Sequence, residues 1–313
     1  MKILITGGLG YLGSWLTDFF CRHDHEVHVL SSSDNKHIKD INYHFINADI
    51  TAANELAAKL RTNFDCCIHA ASLNDSFVKD YPQRALNVNA LGTRNVLAVL
   101  ADKGIGKFVY LSTFHVYGKD NSNINENSPL NPSNDYGSTH LFGEYYVKQF
   151  WNTHRVPFTI LRPTNGYGAP RQPDSTKWYL VINDLARSAY ERGEIILSSN
   201  GQASRDFIWL GDVCNIINNI LQTDKTCGEV FNVSSGKIYR IMDIANIVKN
   251  VYERRYGRAI EIRVRKDDKT VYGADLHISN TKLRSYIDFE IHERIPEEVE
   301  NIFTLLEESA LKL

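Results

Sequence analysis

The stretch Thr6-Gly7-Gly8-Leu9-Gly10-Tyr11-Leu12-Gly13 joins an apolar run at residues 2–6 to an amphipathic pattern that begins near residue 12. Its glycines follow the frame Gly-x-x-Gly-x-x-Gly. Glycine allows a tight turn, a close approach of the backbone to a diphosphate, and close packing of a helix on a strand. The free N–H groups at the start of the helix then attract the diphosphate. The stretch therefore predicts a strand–turn–helix unit that binds a dinucleotide.

Short β-rich runs alternate with longer helical patterns in the first half of the chain. The predicted strands lie at residues 2–6, 26–30, 43–47, 65–69, 107–111 and 157–161. The predicted helices lie at residues 12–23, 52–61, 84–102 and 135–153. Strict alternation gives a parallel sheet with right-handed crossovers, which binds ligands beyond the carboxyl ends of its strands. We therefore expect an α/β fold with a doubly wound parallel sheet of the Rossmann type.

The second half of the chain has a less regular pattern. A loop is marked by Pro163, Gly166, Gly168, Pro170 and Pro173. Helices are predicted near residues 177–192, 211–221, 241–256 and 296–308, with strands near 194–197 and 205–209. Since no linker separates the halves, we expect residues 1–165 to form a dinucleotide-binding domain to which later segments return. Residues 166–313 would form mainly a smaller α/β substrate lobe.

Composition narrows the class of protein. The 313 residues are 43% hydrophobic and 23% charged, which is typical of a globular enzyme rather than a disordered chain. A net charge of -2 argues against nucleic-acid binding. The sequence has no apolar run of about 18 residues that would span a membrane. The five cysteines form no C-x-x-C motif and indicate reduced thiols, so a soluble cytoplasmic protein is expected.

The end of the second predicted strand bears on the choice of dinucleotide. An acidic residue there accepts a hydrogen bond from the ribose 2′-OH of NAD. In this chain Ser31 can donate to a hydroxyl or a phosphate, and Asp34 lies three residues beyond the usual position. Lys36 and His37 are close enough in sequence to meet the 2′-phosphate of NADP. We expect NAD, and NADP stays open.

Two further segments carry a resemblance to a known family. The first reads Phe-Val-Tyr-Leu-Ser-Thr-Phe-His-Val-Tyr-Gly over residues 108–118, and the second is Tyr136-Gly137-Ser138-Thr139-His140. Together with the glycine frame, they resemble the extended short-chain dehydrogenase/reductases, in particular the NAD-dependent nucleotide-sugar epimerases and dehydratases. Other matching segments are Asn47-Ala48-Asp49-Ile50, His69-Ala70-Ala71-Ser72, Asn87-Val88-Asn89 with Gly92-Thr93, residues 161–168, residues 205–208 and Phe231-Asn232-Val233.

The resemblance implies a set of cofactor contacts. Asp49 and Ile50 match the pair that holds the adenine. Asn89 matches a helix residue that orients the active-site loop, and Pro163 matches a residue beside the nicotinamide. The full implied cofactor set is Gly7, Gly10, Tyr11, Leu12, Gly13, Ser31, Asp49, Ile50, Ala70, Ala71, Ser72, Asn89, Tyr136, His140 and Pro163.

The same resemblance implies that Tyr136 is the catalytic base and that Thr113 hydrogen-bonds the same sugar oxygen. The family pattern is Tyr-x-x-x-Lys, but this chain has His140, one helical turn after the tyrosine. A unit charge at about 5 Å in an effective dielectric of 20 contributes about 3 kcal/mol, or about two pKa units. A neutral histidine lacks that field. Three interpretations stay open: a raised pH optimum, a slower or partial reaction without freely reversible hydride transfer, or a catalytically weak binder.

Positions 114 and 115 bear on the reaction. Family dehydratases have Asp and Glu there, whereas this chain has Phe114 and His115. Phenylalanine cannot transfer protons, so 4,6-dehydration is not expected, and His115 is assigned to the substrate. Asn165 and Arg205 match groups that hold the substrate's diphosphate. We expect an NAD(P)-dependent epimerase or dehydrogenase of carbohydrate biosynthesis, acting at C4 of a nucleotide-linked hexose or heptose. The alternative is a weakly catalytic nucleotide-sugar or dinucleotide-binding protein.

The resemblance also implies a homodimer. Residues 85–102 and 136–150 match the two helices of a four-helix dimer interface in the family. The second has an apolar-aromatic set comprising Leu141, Phe142, Tyr145, Tyr146 and Phe150. The expected ligand is a nucleotide-diphosphate sugar, with no nucleic acid, membrane or metal.

Overall fold

The apolar run before the glycine frame forms an interior strand of a parallel sheet. Ile3, Leu4 and Ile5 in this strand are fully buried, as expected for a strand covered on both faces. The computed structural model describes residues 1–33, 38, 40–74, 80–118, 123–172, 175–265, 270 and 275–311. Four residues used in the sequence predictions lie outside the described residues: Asp34, Lys36, His37 and Pro173.

The strands and helices follow one another as an alternating series. In chain order the strands are β1 (Lys2–Thr6), β2 (Glu26–Ser31), β3 (His44–Asn47), β4 (Phe64–His69), β5 (Ile105–Leu111), β6 (Asn123–Ile124), β7 (Phe158–Pro163), β8 (Asn165–Tyr167), β9 (Glu194–Ile196), β10 (Ser204–Trp209), β11 (Glu229–Val233), β12 (Ile238–Arg240), β13 (Glu261–Arg263) and β14 (His277–Ile278). The α-helices are α1 (Tyr11–Arg22), α2 (Ala53–Lys59), α3 (Tyr81–Ala85), α4 (Thr93–Lys103), α5 (Asp135–His154), α6 (Val181–Arg192), α7 (Leu210–Leu221), α8 (Ile241–Tyr256), α9 (Thr281–Tyr286) and α10 (Ile295–Ala310).

The central sheet has seven strands in the order β3-β2-β1-β4-β5-β7-β11, and all of its pairs are parallel. The chain moves outward in one direction from β1 to β3, then returns and moves in the other direction from β4. Such a switch point opens a crevice beyond the carboxyl ends of β1 and β4. The Rossmann-type α/β fold class is confirmed. The last strand, β11, comes from residues 229–233 and pairs with β7.

Helices cover both faces of the sheet. On one face α1 packs against α7, and their apolar side chains share a buried cluster with β1, β2 and β4. On the other face α4 packs against α2 and α5 over a second cluster. The two layers explain why the strand sequences are continuously apolar rather than alternating.

The smaller lobe has its own core. Helices α6, α8 and α10 pack on one another, and β8, β10 and β12 form a three-stranded sheet beside them. Their buried residues include Leu185, Ile244, Val248, Val299 and Phe303. Because β8 follows β7 directly, the lobe begins where the central sheet presents its carboxyl ends.

The predicted helix over residues 84–102 is wrong as a single element. The structure has the short helix α3, then a π-helix at Leu86–Gly92, then α4. The apolar spacing of this segment indicates a helix, but it does not separate i→i+5 from i→i+4 hydrogen bonds. Gly92 ends the π-helix against Ile50, where an added Cβ would lie 2.7 Å from Cδ1.

The apolar-aromatic set on α5 is more buried than the interface prediction requires. Leu141 and Phe150 lie in the core, and Tyr146 packs partly against it. Phe142 and Tyr145 are exposed, at 48% and 54%. A helix rotates by about 100° per residue, so neighbouring side chains point in clearly different directions. The outward surface of α5 is therefore smaller than the sequence suggested.

All five cysteines are free thiols. Among the helices built from described residues, none has both the length and the apolar character needed to cross a bilayer.

Candidate active site

A cleft of about 280 Å³ opens beyond the carboxyl ends of β5 and β7, where the sheet meets the smaller lobe. It brings together predicted site residues from four separate segments of the chain. Those that line it are Tyr11, Leu12, Thr113, His115, Tyr136, Pro163 and Asn165. The glycine frame, the tyrosine segment and the loop after β7 thus meet at one place.

Part of the cleft wall has no motif in the sequence. Asn74, Tyr179 and Asn183 line the cleft and were not among the predicted residues. The Tyr179 hydroxyl donates to the carbonyl of Asn74 at 2.8 Å, which links the smaller lobe to the loop after β4. Asn183 is buried, and no described residue hydrogen-bonds its Oδ1. In the sequence, the only indication that the segment with Tyr179 and Asn183 approaches the site is the set of turn residues before it.

Tyr136 lies in the first turn of α5. The helix starts there because the Asn134 side chain caps it, accepting from the backbone N–H of Gly137 at 2.8 Å. Burial raises the pKa of Tyr136 to about 12, and the nearby Thr113 side chain opposes that rise in part. Both residues that carry the candidate catalytic hydroxyls line the cleft, and the phenol is neutral near pH 7.

His140 lies one turn further along α5, with its ring centroid 4.5 Å from that of Tyr136. The side chain is buried, and burial lowers its pKa to about 3, with a smaller contribution from His115. No described residue offers a hydrogen bond to its Nε2. His140 is therefore a neutral imidazole with one available ring nitrogen, beside a tyrosine that it cannot ionise.

The other ring nitrogen of His140 is held from the sheet. The Tyr110 hydroxyl lies 3.3 Å from Nδ1 and donates to the backbone carbonyl of His140 at 3.2 Å. Gly143 makes room for this contact, because an added Cβ there would overlap the Tyr110 hydroxyl. Tyr110 thus fixes the depth at which the His140 ring lies.

A second buried histidine supports the same region from β4. Thr6 Oγ1 lies 2.7 Å from Nδ1 of His69, and Thr93 Oγ1 lies 3.0 Å from Nε2. Thr93 donates its own proton to the carbonyl of Asn89 at 2.7 Å, so it accepts from Nε2–H and leaves Nδ1 as the acceptor for Thr6. Burial lowers the pKa of His69 to about 3, with a smaller contribution from His140. This series of hydrogen bonds connects β1, β4 and α4.

Asn89 joins the π-helix to the loop after β4. Its Oδ1 accepts from the N–H of Leu73 at 2.7 Å, and its Nδ2 donates to the Leu73 carbonyl and to Thr139 Oγ1. The loop that bears Ser72 is therefore tied to α5, next to His140.

A buried ion pair anchors α5 to the sheet. Two guanidinium nitrogens of Arg162 donate to the Glu144 carboxylate at 2.8 and 2.6 Å. Ser112 also donates to Glu144, at 2.6 Å, and Arg162 donates to the Tyr117 hydroxyl. Ser112 precedes Thr113, so the ion pair holds both segments that carry the catalytic hydroxyls. Sequence reasoning did not find it, because the partners lie 18 residues apart on different elements.

The glycine frame forms the cradle that a dinucleotide requires. Gly7 has φ of +65°, and an added Cβ would lie 2.7 Å from the Cα of Ala71. A Cβ at Gly13 would overlap the Gly7 carbonyl. Helix α1 begins after Gly10 with no side-chain cap, which leaves backbone donors for a diphosphate. The cradle and the available nitrogen of His140 fit a nicotinamide dinucleotide.

The remaining predicted cofactor residues lie along the same edge of the sheet. Ser31 is the last residue of β2, and Asp49 accepts from the backbone and side chain of Thr51. Ile50 is buried against the π-helix. Ala70 and Ala71 donate to the carbonyl and the hydroxyl of Thr6.

Arg205 is not among the residues that line the cleft. Its guanidinium donates to the carbonyl of Ser204 at 2.8 Å, whereas Asn165 lines the cleft and donates to the carbonyl of Asp206. The structure therefore brings one of the two predicted diphosphate ligands to the cleft.

Comparison with known proteins identifies the family of this chain. The model of the NAD-dependent epimerase/dehydratase family matches residues 3–234. A Methanocaldococcus jannaschii protein with the provisional name UDP-glucose 4-epimerase is 30% identical over 79% of this chain and 81% of its own length. The human dTDP-D-glucose 4,6-dehydratase is 25% identical over 78% of this chain and 72% of its own. The solved structure of an epimerase from Methanothermobacter thermautotrophicus has a TM-score of 0.84 and 26% identity, covering 98% of this chain and 92% of that one. The chain belongs to the NAD-dependent epimerase/dehydratase family, whose cofactor is NAD.

Proposed function

We propose that this protein is an NAD-dependent enzyme that transfers hydride at a carbinol carbon, C4, of a nucleotide sugar, as an epimerase or a dehydrogenase. The observation that carries the proposal is that the side chains of Tyr136 and Thr113 line the same cleft. Two hydroxyls that meet there can hold one substrate oxygen and exchange its proton. The relative named UDP-glucose 4-epimerase supports the substrate class and the carbon.

The chain's own residues have separate tasks in this proposal. Bound NAD supplies a hydride acceptor and donor. Tyr136 exchanges the proton of the sugar hydroxyl, and Thr113 keeps that oxygen within reach of the phenol. His140 would offer Nε2 to the ribose of the cofactor, and Pro163 would lie beside the nicotinamide. Asn165 and Arg205 are the proposed ligands of the substrate's diphosphate.

Dehydration does not fit the side chains after Thr113. Phe114 is buried and carries no exchangeable proton, so an elimination at C5 and C6 lacks an acid at that position. His115 lines the cleft and has its ring centroid 5.7 Å from that of Tyr136, where it can contact the sugar. A non-catalytic dinucleotide-binding protein would need neither Thr113 nor Tyr136 in the cleft, so the geometry favours an enzyme.

The proposal includes a homodimer in the cytoplasm. Leu86 and Leu91 on the π-helix, with Phe142 and Tyr145 on α5, are exposed apolar residues on the two segments assigned to the interface. The free thiols agree with a reducing compartment. Sedimentation of Phe142→Glu is expected to show a monomer, whereas Val264→Glu, at an exposed site elsewhere, stays dimeric.

The test of the activity is a panel of UDP-, GDP- and dTDP-sugars incubated with purified protein and NAD or NADP. Product NMR and the absorbance of reduced nicotinamide identify the reaction. A stereoisomer without net NADH indicates an epimerase, and stoichiometric NADH with a keto sugar indicates a dehydrogenase. Tight binding without conversion of any sugar, in either redox state of the cofactor, would overturn the proposal.

A further inference from the structure

Three side chains with metal-binding atoms lie together at the amino ends of β2 and β3, at the opposite end of these strands from the edge of the sheet that binds the dinucleotide. Glu26 begins β2, His28 follows two residues later, and His44 begins β3. In the part of the chain that the structure describes, this is the one group of three or more His, Cys, Asp or Glu side chains whose ligand atoms all lie within 4.8 Å of one another. The proposed reaction does not use these residues.

The register of the sheet brings the three residues to one face. His28 and His44 are paired directly across β2 and β3, and Glu26 lies two residues before His28 on the same side of its strand. The two imidazole rings are stacked, with centroids 4.5 Å apart and an angle of 24° between their planes. Nε2 of His28 lies 2.8 Å from Oε1 of Glu26. The sequence alone predicts no metal here, because only the pairing of the strands brings His44 to the other two ligands.

Packing holds His28 in place, whereas the other two ligands can adjust. The ring of His28 lies at a steep angle to the buried ring of Phe64, with centroids 5.2 Å apart, and its side chain is only 13% exposed. The side chain of Glu26 is half exposed, and His44 is exposed. The ligand atoms of a tetrahedral zinc ion lie about 3.3 Å apart. Small rotations of the two exposed side chains around His28 therefore give the required geometry.

The neighbouring cation and proton can both be displaced. Nζ of Lys2 lies 3.7 Å from Oε1 of Glu26 and donates to Oγ1 of Thr62 at 2.9 Å. An exposed ion pair of this length contributes little free energy. The Glu26 carboxylate also accepts from Nε2–H of His28. A metal would replace that proton, which a neutral imidazole then carries on Nδ1.

We propose that Glu26, His28 and His44 bind a divalent transition metal of the zinc type, which connects the edge strand β3 to β2. Two imidazoles and one carboxylate suit Zn²⁺, whereas Mg²⁺ and Ca²⁺ prefer oxygen ligands. Water would complete the fourth position, because the site faces solvent. The metal would stabilise the edge of the sheet and take no part in the chemistry of the cleft.

The test is a calorimetric titration with zinc chloride of the full chain, stripped of metal and carrying no added histidines. One equivalent is expected to bind with a Kd of about 1 μM. His44→Ala should weaken binding more than about tenfold, since loss of a residue that merely orients a ligand already costs that much. His25→Ala is the matched control and should bind zinc like the wild type. His25 is next to Glu26 in sequence, but its ring contacts Phe20 of α1 and the amino terminus.

Thermal unfolding gives a second readout that is independent of activity. At about 100 μM Zn²⁺ the midpoint of the wild type is expected to rise by about 4 °C, whereas the same concentration of Mg²⁺ leaves it unchanged. His44→Ala should match the wild type within about 1 °C without metal, because the residue is exposed, and should not respond to zinc.

Three results would overturn the proposal: zinc binding equally tight in His44→Ala, zinc binding lost in His25→Ala, or no binding to the wild type tighter than about 100 μM. The proposed function is unaffected by each of them, because the sugar panel tests the cleft and not the amino ends of the strands.

Discussion

His69 and His140 are both buried, and burial lowers the pKa of each to about 3, but their ring nitrogens are used differently. His69 has a threonine hydroxyl on each nitrogen and connects β4 to β1 and α4. His140 has Tyr110 beside Nδ1 and no described partner for Nε2. A buried polar atom without a partner costs free energy, which is recovered when a ligand satisfies it. His69, with a partner on both ring nitrogens, therefore stabilises the fold, whereas His140 keeps one ring nitrogen for a ligand.

The largest expected effect is on the tyrosine beside His140. Tyr136→Phe keeps the ring and its packing on His140, whose centroid lies 4.5 Å away, but removes the exchangeable proton. We expect kcat to fall by about 10³-fold, with an unchanged thermal midpoint. Steady-state kinetics on the active sugar measure the loss. Tyr145→Phe should keep full activity. If kcat of Tyr136→Phe falls by less than about tenfold, the Tyr136 hydroxyl takes no part in proton transfer.

The structural role of His69 predicts a loss of stability. His69→Ala breaks the hydrogen bonds to Thr6 and Thr93 and leaves a cavity between the stacked rings of Phe108 and Tyr110. The free energy of unfolding should fall by about 3 kcal/mol. Urea denaturation measures it, and the exposed His277→Ala should change it by less than about 0.5 kcal/mol. If both variants have the same free energy of unfolding, the contacts of His69 do not stabilise the fold.

The low pKa of both histidines predicts that the fold becomes less stable in acid. Each has a pKa of about 3 in the folded protein and about 6.5 when unfolded, so the unfolded chain binds more protons between these values. The contribution of these histidines to the free energy of unfolding is fully present above about pH 6.5. It decreases as the pH falls, and about 2 kcal/mol per histidine is lost at pH 5. His140→Gln removes one of the two contributions. Urea unfolding at about pH 8 and pH 5 should show a smaller difference for the variant, and equal differences would mean that His140 is charged in the fold.

Sequence reasoning found the motifs of this molecule but not the contacts that decide their chemistry. The glycine frame and the parallel strands follow from spacing and apolar runs, and Tyr136 and Thr113 follow from the segments that resemble the family. The replacement of lysine by His140 is visible in the sequence. Its burial is not, because the contact with Tyr110 depends on strand register and on Gly143.

Other parts of the structure depend on distant pairs of residues. His69 looks like an ordinary strand residue in the sequence, and its partners lie 63 and 24 residues away. The π-helix at Leu86–Gly92 has the apolar spacing of an α-helix, so its hydrogen bonds could not be predicted. Asn89 of this π-helix holds the loop after β4, and the resemblance to the family, not the apolar spacing, pointed to Asn89 as a residue that orients a loop.

The smallest expected effect concerns Nε2 of His140, the ring nitrogen that has no described partner. His140→Phe keeps a planar ring against Tyr136 and retains the backbone carbonyl that accepts from Tyr110, but it has no Nε2. If that nitrogen binds the cofactor ribose, NAD should bind about fivefold more weakly, which is the free energy of about one hydrogen bond. Calorimetric titration measures the change, with the exposed His154→Phe on the same helix as the control. Unchanged NAD affinity in His140→Phe would show that the vacant nitrogen serves no ligand. His140 would then resemble His69 in acting only on the fold.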